Sequence, residues 1–203
     1  MLAVIDYGAG NLRSVLHSLK YLQAQDVRVI HTADQLQTAT KVILPGVGAF
    51  GASMQQLHKQ HLVEAIQAII HKGTPFLGIC VGMQMLFETS DEMGIHEGLG
   101  ILDGNVTRFN LPTGFKVPHM GWNQLRATQP NSPLLRHIPP QSYAYFVHSY
   151  YCAPQHAEHV LLESEYGFPF AAAVQHENIF GVQFHPEKSQ QTGIQLLANF
   201  LEL

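Results

Sequence analysis

The sequence predicts an α/β fold, with a mostly parallel β-sheet covered by helices on both faces and a smaller antiparallel excursion in the second half. In the first half, short apolar runs alternate with segments whose apolar residues recur at helical spacing, which is typical of a covered parallel sheet. From about Gly98 onward, short β-like runs are separated by Pro, Gly and Asn, which favours antiparallel strands.

The first half contains four predicted strands and two predicted long helices. The strands cover residues 2–5, 27–30, 42–44 and 75–79. Apolar residues at helical spacing predict one helix over residues 12–22 and one long amphipathic helix over residues 54–69. A glycine-rich loop is expected over residues 45–51, between the third strand and the long helix.

The second half is expected to consist of short strands and one closing helix. The β-like runs are residues 105–109, 123–126, 144–147, 159–163, 171–175 and 179–184, and the helix covers residues 192–201. The chain has no internal repeat, low-complexity tract or linker-like stretch. We therefore expect a single domain, 1–203.

Composition and charge exclude several classes of function. The chain has 203 residues, enough for one substantial core, and its net charge of −4 gives no reason to expect nucleic acid or an anionic membrane as partner. Two cysteines are too few for a disulfide framework, which favours a reducing compartment. The amino terminus reads as a strand, not as a signal peptide, and no apolar run approaches the roughly 18 residues of a membrane span. A cytoplasmic location is expected.

The most informative segment is residues 78–82, Gly-Ile-Cys-Val-Gly, at the end of the fourth strand. Glycines on both sides of Cys80 would let the chain turn sharply into a helix predicted over residues 83–88, as in a nucleophile elbow. A cysteine at a helix amino terminus lies in a positive field that favours the thiolate. These features predict a nucleophilic Cys80.

A second segment, His185-Pro186-Glu187, supplies the base and the carboxylate that a thiolate nucleophile needs. A residue before proline is biased toward extended conformations, so we expect an extended chain through His185. Extended residues two apart point the same way, which would let Glu187 receive one ring N–H of His185 and leave the other nitrogen for Cys80. A lone buried cysteine is usually inert packing, and the two segments together are what favour catalysis.

Other residues could complete a site around Cys80. The backbone N–H groups of Val47 and Gly48, at a strand end, and of Val81 could bind an oxyanion, although an ordinary turn explains the glycines equally well. Gln84, one helical turn after Cys80, could bind a polar substrate, and Glu92 could hold an ammonium group. Both could equally be ordinary solvated polar residues.

No cofactor or metal site is expected. Gly8-Ala9-Gly10 follows a strand, but Arg13 occupies the position of the third glycine of a dinucleotide fingerprint. The histidine pairs at 58 and 61 and at 156 and 159 have no third ligand at motif spacing. Trp122 and a cluster of tyrosines around Tyr145 could form a partner surface or could pack in the core.

Residues 78–84 and 185–187 together resemble the nucleophile and base motifs of class I glutamine amidotransferases, which have a flavodoxin-like fold. Residues 45–50, 118–123, 145–150 and 185–189 are similar to the glutaminase subunits of imidazole glycerol phosphate synthases, from histidine biosynthesis. The resemblance implies that Cys80 attacks the side-chain amide of L-glutamine, that His185 transfers protons, and that Glu187 orients His185.

The resemblance also implies roles for residues outside the triad. It places oxyanion donors near Val47, Gly48 and Val81, and it implies a cyclase partner, a (β/α)8 barrel that receives the ammonia in a heterodimer. The implied glutamine-holding residues are Gln84, Glu92, His148, Ser149 and Tyr150, and the implied interface residues are Asn11, Met120, Trp122, Tyr145 and Lys188.

Three alternatives stay open at this point. The chain could be the glutaminase of another synthase, although residues 118–123 argue against that interpretation. It could be a flavodoxin-like protein with a redox-reactive Cys80, which would have no need of His185 and Glu187. It could also be a binding module in which Trp122 and the tyrosines serve only association.

Overall fold

The computed structural model describes all 203 residues. The helices are α1 (Leu12–Tyr21), α2 (Ala33–Leu36), α3 (Phe50–Lys59), α4 (Val63–His71), α5 (Val81–Gln84) and α6 (Gln190–Glu202). The strands are β1 (Leu2–Ile5), β2 (Val27–Ile30), β3 (Lys41–Gly46), β4 (Phe76–Cys80), β5 (Phe87–Ser90), β6 (His96–Glu97), β7 (Leu102–Arg108), β8 (His119–Gln124), β9 (Arg126–Ala127), β10 (Tyr143–His148), β11 (Tyr150–Pro154), β12 (Val160–Glu165), β13 (Pro169–His176) and β14 (Ile179–Val182).

The main sheet has eight strands in the order β2-β1-β3-β4-β14-β13-β12-β9. The first five are parallel to one another, and the last three pairings are antiparallel. Every residue of β1 and β4 is buried, so both faces of the sheet are covered at its centre. The predicted α/β architecture is therefore confirmed.

Two smaller sheets are formed by strands that lie between residues 87 and 154. One is the antiparallel pair β8–β10, and the other has the order β11-β7-β5-β6. In the latter, β5 and β7 run parallel, and the remaining pairs are antiparallel. The change from alternating strands and helices to successive strands therefore begins at Phe87, earlier than the expected start near Gly98. One apolar core joins all of these layers.

The predicted long helix over residues 54–69 is wrong, because the chain forms two helices, α3 and α4. The break is a helix-ending motif in which Leu62 N–H bonds to the Leu57 carbonyl and His61 N–H bonds to the His58 carbonyl, both at 3.0 Å. His61 has a φ of 54°, the left-handed conformation that glycine usually supplies. The turn keeps both Leu57 and Leu62 buried.

The predicted helix over residues 83–88 is also wrong. Helix α5 ends at Gln84, and Phe87 already belongs to β5. The carbonyls of Met85, Leu86 and Phe87 accept hydrogen bonds from the backbone of residues 99–102. Pairing with a distant segment therefore outweighs the local helical preference.

Two boundary differences matter for the site. Strand β3 continues through Pro45 and Gly46, so the loop expected over residues 45–51 shrinks to residues 47–49 before α3. Strand β14 ends at Val182, so Gln183 and Phe184 lie between the strand and His185. None of the helices is long and apolar enough to cross a membrane.

Gly193 gives a test of this packing. Alanine normally stabilises a helix relative to glycine by about 1 kcal/mol, but a Cβ on Gly193 of α6 would overlap the carbonyl oxygen of Pro186. We expect Gly193→Ala to lower the free energy of unfolding by about 1–3 kcal/mol in urea titrations.

The matched control is Gly51→Ala in α3, where the added Cβ would meet only the ring of His96, at 2.7 Å. That ring can rotate away, so we expect a smaller loss in the control. Stabilisation by Gly193→Ala would contradict the close approach of α6 to Pro186.

Candidate active site

Cys80 occupies the turn between β4 and α5 in a strained backbone conformation, with φ 55° and ψ −113°. A Cβ on Gly78 would overlap the Gly82 carbonyl, and a Cβ on Gly82 would overlap the Leu44 carbonyl. Neither glycine has a positive φ. The expectation that the glycines make the sharp turn is therefore wrong. Cys80 itself adopts the positive φ of the turn, and the glycines allow close packing around it.

His185 lies beside Cys80 because β14 is parallel to β4. Val182 pairs with Ile79, so Cys80 and the segment after Val182 leave the sheet at the same edge. His185 is 2% exposed, and its backbone N–H donates to the Tyr145 carbonyl at 3.0 Å.

Glu187 contacts His185 as expected, with 2.8 Å between Glu187 Oε1 and His185 Nδ1. The expected cause is wrong, because Pro186–Lys188 is a turn of 3-10 helix and not an extended segment. Asn11 Nδ2 donates to the same carboxylate oxygen at 3.1 Å. The Glu187 side chain is 1% exposed, and its Oε2 is buried with no hydrogen-bond partner.

The electrostatics of the pair favour a protonated His185. Burial alone would lower the pKa of His185, but hydrogen bonds and charge from Cys80 and Glu187 raise it to about 10. A cationic imidazole between a sulfur and a carboxylate is the arrangement in which a thiolate is stabilised.

Cys80 and His185 open onto a cavity of about 330 Å³. The other lining residues include all eight residues predicted to bind an oxyanion or a substrate: Val47, Gly48, Val81, Gln84, Glu92, His148, Ser149 and Tyr150. The geometry is that of a cysteine nucleophile with a paired base facing a cavity that could hold a small polar molecule.

The family model described as glutamine amidotransferase class-I matches residues 3–203. The chain belongs to this family. Proteins named imidazole glycerol phosphate synthase subunit HisH are similar over nearly their whole length. That of Moorella thermoacetica is 50% identical over 202 residues, covering 100% of this chain and 94% of the relative. That of Chlorobaculum tepidum is 47% identical over 203 residues, covering 100% of both.

Solved structures of other proteins share the fold at low sequence identity. The structure described as PurLQS from Thermotoga maritima has a TM-score of 0.79 at 19% identity, covering 99% of this chain and 97% of that chain. The glutaminase domain of CTPS from Trypanosoma brucei has a TM-score of 0.70 at 15% identity, covering 99% of this chain and 93% of that chain.

In this glutamine amidotransferase, the loop of Val47 and Gly48 lies next to the elbow. Gly46, the last residue of β3, pairs directly with Cys80. A Cβ on Gly46 would lie 2.5 Å from the Gly82 nitrogen, so the two turns are in van der Waals contact through a glycine. Gly48 has a φ of 91°, which glycine adopts without strain.

Gln84 and Glu92 are both tied to the protein. Gln84 Nε2 donates to Gln183 Oε1 at 2.9 Å and to the Tyr150 carbonyl at 3.3 Å. Glu92 Oε2 accepts from the Phe50 N–H at 2.6 Å, at the amino terminus of α3. One Glu92 oxygen is therefore engaged with the helix.

The His148 side chain points away from solvent, toward another histidine. Its Nδ1 lies 2.8 Å from the Tyr150 carbonyl and must donate, so its Nε2 accepts from His119 Nδ1 at 2.9 Å. Burial lowers the pKa of His148 to about 3 and that of His119 to about 4. Both rings are therefore neutral near pH 7. Because both ring nitrogens of His148 are already hydrogen-bonded, a substrate role for His148 would have to use its backbone.

Three buried residues near the site were missed from the sequence. Gln183, His119 and Tyr7 carry no motif of their own, and the partners of the first two lie far away in the chain. Gln183 Nε2 is 3.7 Å from Cys80 Sγ. Burial raises the pKa of Tyr7 to about 12, and its hydroxyl has no hydrogen-bond partner. The only sequence signal was the position of His119 and Gln183 within segments already singled out.

The residues expected at an interface lie on one side of the site. Met120 and Trp122 of β8 and Tyr145 of β10 point outward on the same face of the β8–β10 pair, and Met120 and Trp122 are exposed. Lys188 Nζ lies 5.8 Å from the centre of the Tyr145 ring. Asn11 instead donates a hydrogen bond to the Glu187 carboxylate. No group of three or more His, Cys, Asp or Glu side chains is arranged to hold a metal ion.

The buried histidine pair predicts a loss of stability in acid. An unfolded histidine has a pKa near 6.5, so between about pH 6.5 and pH 4 the unfolded chain binds more protons than the folded one. The contribution of these two histidines to stability is therefore full above pH 6.5 and is lost as the pH drops. In urea titrations from pH 7.5 to 4.5, we expect His119→Gln to flatten this dependence by up to about 1.4 kcal/mol per pH unit.

His17→Gln removes an exposed histidine of α1 and is the matched control. Equal pH dependence in wild type and His119→Gln would show that His119 is not held neutral by burial.

Proposed function

We propose that this chain is the glutaminase subunit of imidazole glycerol phosphate synthase, acting as a single domain, 1–203, in the cytoplasm. It hydrolyses L-glutamine to glutamate and ammonia and delivers the ammonia to a cyclase subunit. The observation that carries the proposal is the placement of Cys80 and a hydrogen-bonded His185–Glu187 pair on one cavity of about 330 Å³. Relatives about half identical to this chain are named as subunits of imidazole glycerol phosphate synthase, and they support this specific synthase.

The first half of the reaction is attack of the Cys80 thiolate on the side-chain amide carbon of glutamine. A carbon–sulfur bond forms and the carbonyl electrons move to oxygen, where the N–H groups of Gly48 and Val81 bind the negative charge. Protonated His185 then gives its proton to the amide nitrogen. The carbon–nitrogen bond breaks, ammonia leaves, and a thioester remains on Cys80.

The second half is hydrolysis of the thioester. Neutral His185 takes a proton from water as the water oxygen attacks the thioester carbon, and the Cys80 thiolate leaves as glutamate forms. Glu187 holds the imidazole through Nδ1 and stabilises its cation, and Asn11 fixes the carboxylate. One carboxylate–imidazole contact therefore serves both the acid and the base step.

The cavity also suits the remaining groups of glutamine. Glu92 supplies a carboxylate for the α-ammonium group, with its other oxygen already held by the Phe50 N–H. The Gln84 amide and the backbone of Ser149 and Tyr150 supply polar atoms around the bound substrate. The Nδ1–H of His148 donates a hydrogen bond to the Tyr150 carbonyl and so fixes its position.

The partner is a cyclase subunit with a (β/α)8 barrel, bound as a heterodimer. The surface of this chain that contacts the cyclase includes Met120, Trp122, Tyr145, Lys188 and Asn11. Aromatic side chains exposed on one flat strand pair are the composition that protein interfaces favour. Residues 145 and 188 adjoin the backbone around His185, so ammonia released at Cys80 would leave toward the partner.

The central test is glutamate formation from glutamine by the chain mixed with a histidine-pathway cyclase and the ribonucleotide ligand of that cyclase. We expect glutaminase activity in the mixture, and a loss of at least about 10⁴-fold in Cys80→Ala, because nucleophile removal eliminates the covalent route.

Cys152→Ala removes the other buried cysteine and should retain activity. Alkylation of Cys80 without glutaminase activity in any mixture would instead favour a redox-reactive cysteine.

Trp122 tests the proposed contact surface. Trp122→Ala should weaken binding of the cyclase by about 30-fold in calorimetric titrations, since buried tryptophans are frequent binding hot spots worth about 2 kcal/mol or more. Tyr21→Ala removes an exposed aromatic residue from the end of α1 and should leave binding unchanged. Equal affinities for wild type and Trp122→Ala would place the interface elsewhere.

A further inference from the structure

We propose that Gln183 is a further catalytic residue, whose side-chain amide donates a hydrogen bond to the Cys80 sulfur and stabilises it as thiolate. Its role in glutamine hydrolysis rests on the proposed function, whereas its contact with the sulfur does not. Gln183 directly follows β14, and its side chain is fully buried. Its Nε2 lies 3.7 Å from Cys80 Sγ, within the range for a sulfur acceptor.

The direction of this hydrogen bond follows from a chain of amides that ends on the backbone. The Tyr150 carbonyl can only accept, so the Gln84 atom 3.3 Å from it must be the donor, Nε2. The same Nε2 lies 2.9 Å from Gln183, so the Gln183 atom facing it must be the acceptor, Oε1. The other end of the Gln183 amide, the N–H₂ group, therefore faces the sulfur.

The other ionisable groups near Cys80 do not replace this donor. The Tyr7 hydroxyl forms no hydrogen bond, and burial raises the pKa of Cys152 well above its usual range, so Cys152 is a neutral thiol and only a weak donor. Glu92 lines the cavity, but its carboxyl group accepts a hydrogen bond from the Phe50 N–H. The cation at the sulfur is His185, which is held by Glu187.

A neutral donor has a distinct use in the reaction. His185 gives up its proton when ammonia leaves and regains one only as water attacks the thioester, so its charge changes during the reaction. At that step the carbon–sulfur bond breaks and its electron pair goes to sulfur. Gln183 is then a donor whose strength does not depend on the protonation state of His185.

The test measures Cys80 itself, in the chain alone. Iodoacetamide alkylation of Cys80 is followed by mass spectrometry from pH 5 to pH 10 for wild type and Gln183→Met, which has similar volume but no donor. We expect the apparent pKa of alkylation to rise by about one unit, and the rate below that pKa to fall about tenfold, as loss of a hydrogen bond to a charged group predicts.

Gln183→Leu also removes the donor and adds no charge. It should shift the alkylation profile in the same direction, and it decides the question if Gln183→Met does not fold. An alkylation profile that matches wild type in the folded variants would overturn the proposal.

Asn199→Leu is the matched control for loss of a buried amide. Asn199 Nδ2 donates to the carbonyls of Leu134 and Arg136, remote from Cys80. This variant should lower the unfolding midpoint and leave the alkylation profile unchanged. If Gln183→Met behaves in the same way, Gln183 is only structural.

The two proposals can fail separately. A shifted alkylation profile in a chain that shows no glutaminase activity with any cyclase would support the contact of Gln183 with the thiolate and refute the proposed function. In an active enzyme, Gln183→Met should lower kcat more than it changes KM, because the thiolate acts in the chemical steps. An unchanged kcat with a shifted profile would overturn the catalytic role.

Discussion

The parallel pairing of β4 with β14 is the constraint on which the site depends. The two strands are separated by almost half of the chain, yet Val182 lies opposite Ile79, so Cys80 and Gln183 leave the sheet together. On the other side of β4, Gly46 lies opposite Cys80 and brings the Val47–Gly48 turn to the same edge. Three neighbouring strand ends thus deliver the nucleophile, the base and the oxyanion loop, and the helices and small sheets around them keep these ends buried.

Close packing around Cys80 holds its backbone in a conformation that costs on the order of 1–3 kcal/mol. Gly46, Gly78 and Gly82 pack so tightly that a Cβ on any of them would collide with the neighbouring backbone. The elbow therefore cannot relax without separating β3 from β4. Strain that is fixed by the central strands keeps the sulfur in one position, and a fixed nucleophile needs little reorganisation during the reaction.

The sequence was sufficient where the signal is local. The alternation of strands and helices and the segments at 78–84 and 185–187 are each written within a few adjacent residues. The sequence was insufficient where a feature depends on contacts between residues that are far apart in the chain. His61 follows α3 in a conformation that glycine usually supplies, and residues 99–102 bond to the carbonyls of Met85–Phe87. Glu187 reaches His185 through a 3-10 turn. Gln183 and His119 could not be assigned because Gln84, Tyr150 and His148 become their neighbours only in the fold.

The Tyr150 carbonyl connects the nucleophile to the outer surface. It accepts from Gln84, which holds Gln183 against Cys80, and from His148, which accepts from His119. His119 and His148 are the buried side of the β8–β10 pair, whose other side carries Trp122 and Tyr145. The Tyr145 carbonyl also accepts from the His185 N–H. One strand pair thus contacts the base through its backbone and the nucleophile through a relay of amides and imidazoles. A partner bound to the outer side of this pair would therefore act on strands that hold both halves of the catalytic machinery.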